Sequence, residues 1–314
     1  MSITPRDILL MQSLKGFGNA AIRNVIAEIS QYSIYGEREL YEVIAKLCNS
    51  KQIRAQLPTC DEMDNAAYLA DRIIKRSESL GVRMLTFQDE NYPIKLQNTI
   101  SEKGKPDVPI MVHCLGNLDL LGMLSLTIIG TRNPNNAGVK AAEFFSSEFA
   151  SLGVNFVSGL AIGCDAIAHE AALSANGPTT AILAGGLDNI YPKENQKLAE
   201  RILNTDGLLI SENPVFTQTN KYNLVARDRI QAALGDATLV IQTGIHGGTM
   251  HAAKATLSAD KPLFVVDYKD NSSDVIQGNL ALKSYGAREI SSSRWKENPS
   301  YYFELLLGSR SFIL

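Results

Sequence analysis

Apolar residues recur at helical spacing through the first part of the chain, at Ile8, Leu9, Met11 and Leu14 and again at Ile22, Val25, Ile26 and Ile29. Each set shares one face of a helix. Between them the stretch KGFGN predicts a glycine turn. From about Leu80 the pattern changes: a segment rich in proline and polar residues, FQDENYPIKLQNTISEKGKPDVP, leads into apolar, β-branched runs at LTIIG, VNFVSG, TTAILAGG, LLISE, TLVIQTG and LFVVD. Segments of helical period separate these runs, as in VKAAEFFSSEFASLG, where Val139, Ala142, Phe149 and Leu152 fall on one face.

Strands that are apolar throughout and alternate with helices predict a mainly parallel sheet covered on both faces. The connection rules make that sheet doubly wound and put its ligand site beyond the carboxyl ends of the strands. The expected fold class is α/β, an extended Rossmann-like doubly wound sheet over residues 76–290. A small all-helical domain of helix-hairpin-helix or SAM-like kind precedes it over 1–75, and a tail over 291–314 packs a small helix on the body. No internal repeat is visible.

Composition narrows the function classes. A chain of 314 residues, 45% hydrophobic and 20% charged, supports one large core plus a smaller module. Its net charge of −3 gives no global pull toward nucleic acid, so phosphate binding requires a local cationic patch. Up to Lys75, nine Lys/Arg balance nine Asp/Glu. The default reading of the head is therefore a packing or protein-contact domain; two helices around a glycine turn also resemble a helix-hairpin-helix, whose turn N–H groups can hold a DNA phosphate. Cys48, Cys60, Cys114 and Cys164 lie far apart without a CxxC pair, which suits neither a disulfide scaffold nor a zinc site and fits a reduced cytoplasm. No metal or cofactor is expected. The N-terminus MSITPRDILLMQSL lacks the features of a signal peptide, and the most apolar stretch, LLGMLSLTIIG, is too short to span a bilayer, so a cytoplasmic protein without a membrane partner is expected.

The candidate chemistry lies at strand ends. In GTRNPNNAG, Gly130 permits a tight turn after the first central strand, and Arg132 places a guanidinium that can grip a phosphate bidentately. In SGLAIGCDAIAH, Ser158, Gly159 and Gly163 open a helix whose free N–H groups favour an anion, and Asp165 can cap that helix or hold a ribose or a neighbouring arginine. His169, one turn on, reads as a packing residue with no acid-base role. In QTGIHGGTMHAAKA, Gly247, Gly248 and Thr249 offer further donors. Lys193 in GLDNIYPKEN and Arg227 and Arg229 in NLVARDRIQAALG sit near the same edge. Anion-suited turns converging on one sheet edge imply an extended anionic ligand or a nucleotide. The plainer alternative is that these glycines only permit tight turns.

In order and spacing, GTR…G, VSGLAIGCDAIAHEAAL, AILAGGLDNIYPKEN, LLISENP and RDRIQAALG closely resemble the core signature of the DprA/Smf (DNA-processing) family. The match extends upstream through the YP of ENYPIKL and the LGN of HCLGN. Downstream, QGNLALKSYGA resembles the family's GxNxLIxxGA, so the likeness spans roughly residues 80 to 290. The resemblance implies a Rossmann-like domain that binds single-stranded DNA without chemical change, forms homodimers and helps load a RecA-type recombinase during DNA uptake. It points to Arg132, Ser158, Gly159, Lys193, Arg227 and Arg229 as phosphate contacts, with Gly163, Gly247 and Gly248 as backbone donors. The chain departs from the pattern in several places. RDRIQAALG stands where the family usually has RNRIIAGLS, so Asp228 puts a carboxylate between two arginines and Gln231 replaces an apolar residue. The strand that usually ends VVEA reads VIQT, with Gln242 in place of a glutamate, the SGS-like turn after it is GGT, and Leu224-Val225 replaces Phe-Pro. With no winged-helix extension after residue 290, the chain reads as a divergent member.

Two other functions compete. The turn HGGT superficially resembles the PGGxGT loop of lysine-decarboxylase-like phosphoribohydrolases, which cleave the N-glycosidic bond of a nucleotide, but no Asp or Glu occurs from Gly244 through Ala259. The other is a regulator whose altered pocket senses a nucleotide or DNA end while the head restrains a toxin or effector protein in a defence or toxin-antitoxin setting.

Overall fold

The structure is a computed structural model that describes residues 3–30, 36–268 and 272–308. The chain divides into two compact units, Met1–Tyr92 with Pro109–Val112 and Pro93–Val108 with His113–Leu314. Residue 75, where the sequence pattern places the end of the helical head, lies inside a helix that continues to Leu80.

The first unit comprises α1 (Pro5–Ser13), α2 (Asn19–Ile29), α3 (Glu37–Asn49), α4 (Cys60–Leu80) and β1 (Arg83–Thr86). Thr4 starts α1 with a reciprocal capping box to Asp7, and Pro5 takes the first helical position, where its missing N–H costs nothing. Thr59 and Glu62 repeat the box on α4, which stops at Gly81 in the left-handed conformation (φ 72°). The turn KGFG joins α1 to α2, with Gly16 at φ 86°. All eight apolar residues of the two helical sets are buried, from Ile8 at 0% exposed to Leu14 at 6%, and each contributes about 1.5 to 3 kcal/mol of apolar burial.

The second unit begins with α5 (Ile94–Gln97) and β2 (Met111–Gly116), whose first two residues belong to the first unit. Then strands and helices alternate: β3 (Ser125–Ile129), α6 (Asn136–Ser151), β4 (Asn155–Ser158), α7 (Cys164–Ser174), β5 (Thr179–Leu183), α8 (Gln196–Asn204), β6 (Leu208–Ser211), α9 (Lys221–Leu234), β7 (Ala237–Val240), α10 (Thr249–Ser258), β8 (Leu263–Val266), α11 (Gln277–Ser284) and β9 (Arg288–Ile290). The strands follow the order β2-β6-β5-β4-β3-β7-β8-β9. β2 runs antiparallel to β6; the other pairs are parallel, with Leu126 of β3 opposite Phe156 on one side and Ala237 on the other.

Every residue of β3 to β8 is buried, as strands covered on both faces must be. On one face α6 and α7 bring Phe145, Phe149 and Ala168 against Leu126, Phe156 and Leu239. On the other, Met250, Ala253 and Leu282 meet Ile129, Val240 and Val265. The chain leaves β3 for β4 in one direction and later returns to place β7 on the opposite side. The β3/β7 boundary is therefore the topological switch point, where ligands bind in such sheets. At the other end of these strands a buried ion pair, Lys95 Nζ to Asp236 Oδ2 at 2.7 Å, ties α5 to the start of β7.

The expected tail helix is two helices among the described residues, α12 (Ser292–Glu297) and α13 (Pro299–Gly308). Trp295 is buried with its ring 4.4 Å from that of Phe149, and its Nε1–H donates to Glu148 Oε2 at 2.8 Å. Residues 309–314 of the tail lie outside the described residues. Among the described residues no helix is long and apolar enough to cross a membrane, and no group of three His, Cys, Asp or Glu is placed to hold a metal.

Candidate nucleic-acid interface

At the switch point a cavity of about 380 Å³ opens between the turns that follow β3 and β7, a size suited to a small polar group or a nucleotide. Of the twelve residues singled out from the sequence it gathers seven: Gly130, Arg132, Asp165, Arg227, Gly247, Gly248 and Thr249. Asp228, Gln231 and Thr243 also line it.

The β3 turn is braced at both ends by Gln242. The Thr131 N–H donates to the Gln242 backbone oxygen (2.7 Å), and the Asn135 N–H donates to Gln242 Oε1 (3.1 Å). Gln242 Nε2 donates in turn to Asn135 Oδ1 (2.8 Å), which also accepts from Gly138 N–H to cap α6. Arg132 stands between the two anchors. It is exposed, and its guanidinium has no hydrogen bond or ion pair among the described residues. Gly130 is required because a Cβ there would lie 2.5 Å from Cys164 Sγ.

The β4 turn is wound onto itself. Asp165 Oδ2 accepts from the N–H groups of Gly159 (3.0 Å) and Ala161 (3.4 Å), with Leu160 between them in the left-handed region (φ 56°). Gly163 holds φ 83°, and a Cβ there would sit 2.5 Å from the carbonyl oxygens of Thr131 and Arg132. Ser158 is fully buried and its Oγ donates to Ile128 O (2.6 Å). The amides that the sequence offered to an anion are in part spent on Asp165.

Arg227 is likewise committed. Its Nη1 donates to Gly159 O (2.7 Å) and Ile182 O (2.8 Å), and its Nε to Asp228 Oδ1 (3.2 Å). Arg229 points away from the cavity, where it donates to the backbone oxygens of Asp107 and Ala226 and pairs with Asp107 and Glu212. Lys193 is exposed in a 3₁₀ turn after β5 and does not line the cavity, nor do Ser158, Gly159, Gly163 or Arg229.

The β7 turn differs in kind. Gly248 precedes α10 with no side-chain cap, and the N–H groups of Gly248 and Thr249 have no acceptor among the described residues. Those donors, the α10 dipole and the Arg132 guanidinium all face one cavity, an arrangement that attracts an anion. Two carboxylates oppose it. Burial pushes Asp228 up to about 6 despite the pull of Arg227, with Asp165 adding to the rise. Burial also pushes Asp165 above the usual carboxylate range, against Arg227 and the backbone donors. His169 is fully buried on α7 with Nδ1 2.7 Å from Thr179 Oγ1, and burial lowers it to about 3, in keeping with its reading as a packing residue.

The sequence model of the family described as DNA recombination-mediator protein A matches residues 83–295. The chain belongs to the DNA recombination-mediator protein A family. This is the DprA/Smf family of DNA-processing proteins. The chain is 28% identical over 283 residues to Protein Smf of Borreliella burgdorferi, covering 89% of this chain and 80% of the relative. It is 34% identical over 225 residues to Protein Smf of Synechocystis, covering 70% and 54%. The chain thus spans most of one of these relatives and about half of the other. Among solved structures, the DNA processing protein A of Streptococcus pneumoniae aligns over 94% of this chain and 97% of its own with a TM-score of 0.75 at 24% identity, which shows the shared fold. The Helicobacter pylori protein, described for its single-stranded DNA binding mode, covers 67% of this chain and 90% of its own with a TM-score of 0.57 at 30% identity.

Of the departures from the family pattern noted in the sequence, Asp228, Gln231, Leu224-Val225 and the GGT turn line this cavity, and Gln242 braces one of its turns. Asp228 brings a carboxylate to the cavity wall, and Gln242 is the brace of the Arg132 loop. The sequence puts Asp228 between two arginines, and the structure pairs it with Arg227 while Arg229 turns to Asp107 and Glu212; the bracing role of Gln242 is visible only in the folded chain. A signal for the brace was present in NPNN ahead of a helical segment, since an asparagine there is a helix cap in need of support.

Proposed function

We propose that this chain binds single-stranded DNA by its phosphate backbone in the β3/β7 crevice, without chemically changing it, and acts through that binding in DNA processing. The observation that carries the reading is the pairing of one uncommitted guanidinium, Arg132, with the uncapped start of α10. Arg132, Gly130, Gly247, Gly248 and Thr249 are the residues assigned to the phosphate. Asp165, Arg227, Ser158, Gly159 and Gly163 build the wall behind them. A crevice of about 380 Å³ is of a size to take the sugar-phosphate backbone of a single strand. Homodimer formation and loading of a RecA-type recombinase belong to the same proposal and rest on family resemblance.

Fluorescence anisotropy of labelled single-stranded and duplex DNA at two salt concentrations tests this. Wild type should prefer the single strand and weaken steeply with salt, because the bound phosphates release counterions. Arg132→Ala should lose most of that binding while melting like wild type. Failure of wild type to bind either DNA at low salt would refute the proposal.

One observation favours a second reading, nucleotide hydrolysis. Asp228, on α9, supplies the cavity with a carboxylate that takes up a proton near pH 6, the property a general acid or base needs. Release of free base from a nucleoside monophosphate, abolished in Asp228→Asn, would support it.

A further inference from the structure

The crevice at the β3/β7 boundary, about 380 Å³ in volume, is larger than a phosphate needs, and α9 grades it from mouth to floor. Leu224, Asp228 and Gln231 stand at helical spacing on one stripe of α9, and all three line the cavity. Val225, beside Leu224, is 44% exposed, whereas Asp228 is 9% and Gln231 2% exposed. At 1.5 Å of rise per residue the stripe is about 10 Å long, the reach of one nucleotide from its phosphate to the far edge of its base. Ile129 at the end of β3 and Ala252 of α10 add apolar surface to the same cavity, so the inner part is a slot with apolar walls and few polar groups.

The floor of this slot carries hydrogen-bonding capacity that the protein does not use. Gln231 Nε2 is buried and has no hydrogen-bond partner among the described residues. Leaving an amide donor buried and unpaired is costly, and the apolar residue that the family pattern has at this position would avoid the cost. One turn nearer the mouth, Asp228 Oδ1 accepts from Arg227 Nε (3.2 Å), and Oδ2 accepts from no donor among the described residues. Raised to about 6, that carboxylate is still ionised at pH 7.5 and acts only as an acceptor. Side chains three residues apart on a helix are neighbours. An unused donor beside an anionic acceptor calls for a ligand edge that sets an acceptor beside donors.

We propose that an unpaired guanine of the bound strand enters this slot: its O6 accepts from Gln231 Nε2, its N1–H and N2–H₂ donate to Asp228, and its phosphate stays at the mouth with Arg132 and the start of α10. This rests on the DNA-binding reading of the crevice. Guanine sets an acceptor beside two neighbouring donor groups on one edge. Adenine and cytosine offer a single amino group there, and thymine a single N–H. The carboxylate therefore meets two donor groups only with guanine, and hydrogen bonds to an ionised group are the strong ones. In a duplex that edge is already paired with cytosine, so the slot reads single strands alone.

The test uses the full chain and three labelled oligonucleotides of one length at pH 7.5: oligothymidylate, the same with one central guanine, and the same with hypoxanthine there, which lacks the 2-amino group. Wild type should bind the guanine oligonucleotide roughly five- to a hundredfold more tightly than oligothymidylate, with hypoxanthine in between. Gln231→Met keeps the length of the side chain and removes the unpaired amide. It should melt at or above the wild-type temperature, and its ratio of guanine to thymine affinities should fall to near one. Asp228→Asn should lower the same ratio, whereas Arg132→Ala should weaken both oligonucleotides by a similar factor and keep it. If wild type binds the guanine and thymine oligonucleotides alike while Arg132→Ala weakens both, the slot is refuted and the phosphate reading stands. A guanine preference that survives intact in Gln231→Met also refutes the slot. If wild type binds none of the three, both readings fall.

Discussion

Asp228→Asn tests the electrostatics of the crevice most directly. The carboxylate is 9% exposed and lies 3.2 Å from Arg227 Nε, yet burial outweighs that partner and raises it from 3.8 to about 6. A group raised on folding contributes stability that is complete below its unfolded value and is lost as pH climbs through its folded value. At 1.36 kcal/mol per pH unit, keeping Asp228 ionised within the fold at pH 7.5 costs about 3 kcal/mol. Asparagine has a similar shape, still accepts from Arg227 and carries no charge. The variant should therefore be about 1 to 3 kcal/mol more stable than wild type at pH 7.5, the lower figure allowing for the ion pair it gives up. At pH 4 the two should converge. Urea denaturation at both pH values measures this.

The same substitution should strengthen DNA binding. A phosphate about 7 Å from a carboxylate feels roughly 2 kcal/mol of repulsion at an effective dielectric constant near 20, and salt reduces it. Asp228→Asn should therefore tighten binding of oligothymidylate about five- to thirtyfold at pH 7.5, with the advantage shrinking below pH 6. The comparison is variant against wild type at each pH, which removes any pH dependence that the two proteins share. Unchanged or weaker binding by the variant at pH 7.5, or a stability difference that does not vary with pH, would refute the reasoning.

Gln242→Ala removes both side-chain bonds that hold Asn135; single-stranded DNA affinity should fall about tenfold, and the loss should vanish in an Arg132→Ala background, as a double-mutant cycle would show. His113 is fully buried with neither ring nitrogen hydrogen-bonded, and burial lowers it to about 4. The fold therefore keeps it neutral, and the associated stability is held above pH 6.5 and lost as pH falls to about 4, at 1.36 kcal/mol per pH unit. His113→Leu should flatten that acid limb in a pH series of thermal melts. Since Asp228 acts with the opposite sign in an overlapping window, Asp228→Asn should steepen it.

What the sequence made legible follows from where each signal is local. The strands β3 to β8 are built mostly of apolar and β-branched residues with little alternation, which marks strands covered on both faces. β2 and β9 escaped notice for different reasons: β2 is six residues long but is interrupted by His113, which it carries into the core, and β9 has only three residues, Arg-Glu-Ile. The sequence pattern ends the helical head near Lys75, whereas α4 runs on to Leu80 and its stop signal, Gly81, comes six residues after Lys75. The site was legible as turns and illegible as contacts. Arg132, Arg227 and Arg229 look alike in a sequence, but one faces solvent, one is bonded to the carbonyls of Gly159 in the turn after β4 and of Ile182 in β5, and one pairs with Asp107 and Glu212. Only the folded chain decides which carbonyls and carboxylates claim a guanidinium first.

The same distinction divides the glycines, and it can be tested with a pair of alanines. A Cβ on Gly159 would lie 2.0 Å from Arg227 Nη1, and that nitrogen cannot swing aside without giving up its bonds to Gly159 O and Ile182 O. Hydrogen bonds from charged donors contribute about 1.5 to 3 kcal/mol each, so Gly159→Ala should cost about 3 kcal/mol or more. Gly248 is the opposite case. It has α-helical backbone angles (φ −57°, ψ −32°) and nothing within 4 Å of a Cβ, so Gly248→Ala should leave stability unchanged or raise it by up to about 1 kcal/mol. Its methyl would project into the crevice, where the phosphate is proposed to approach the α10 amides, and single-stranded DNA affinity should drop several-fold. A Gly248→Ala protein that binds DNA like wild type would show that the α10 start does not meet the ligand. A Gly159→Ala protein as stable as wild type would show that Arg227 is not the brace its hydrogen bonds describe.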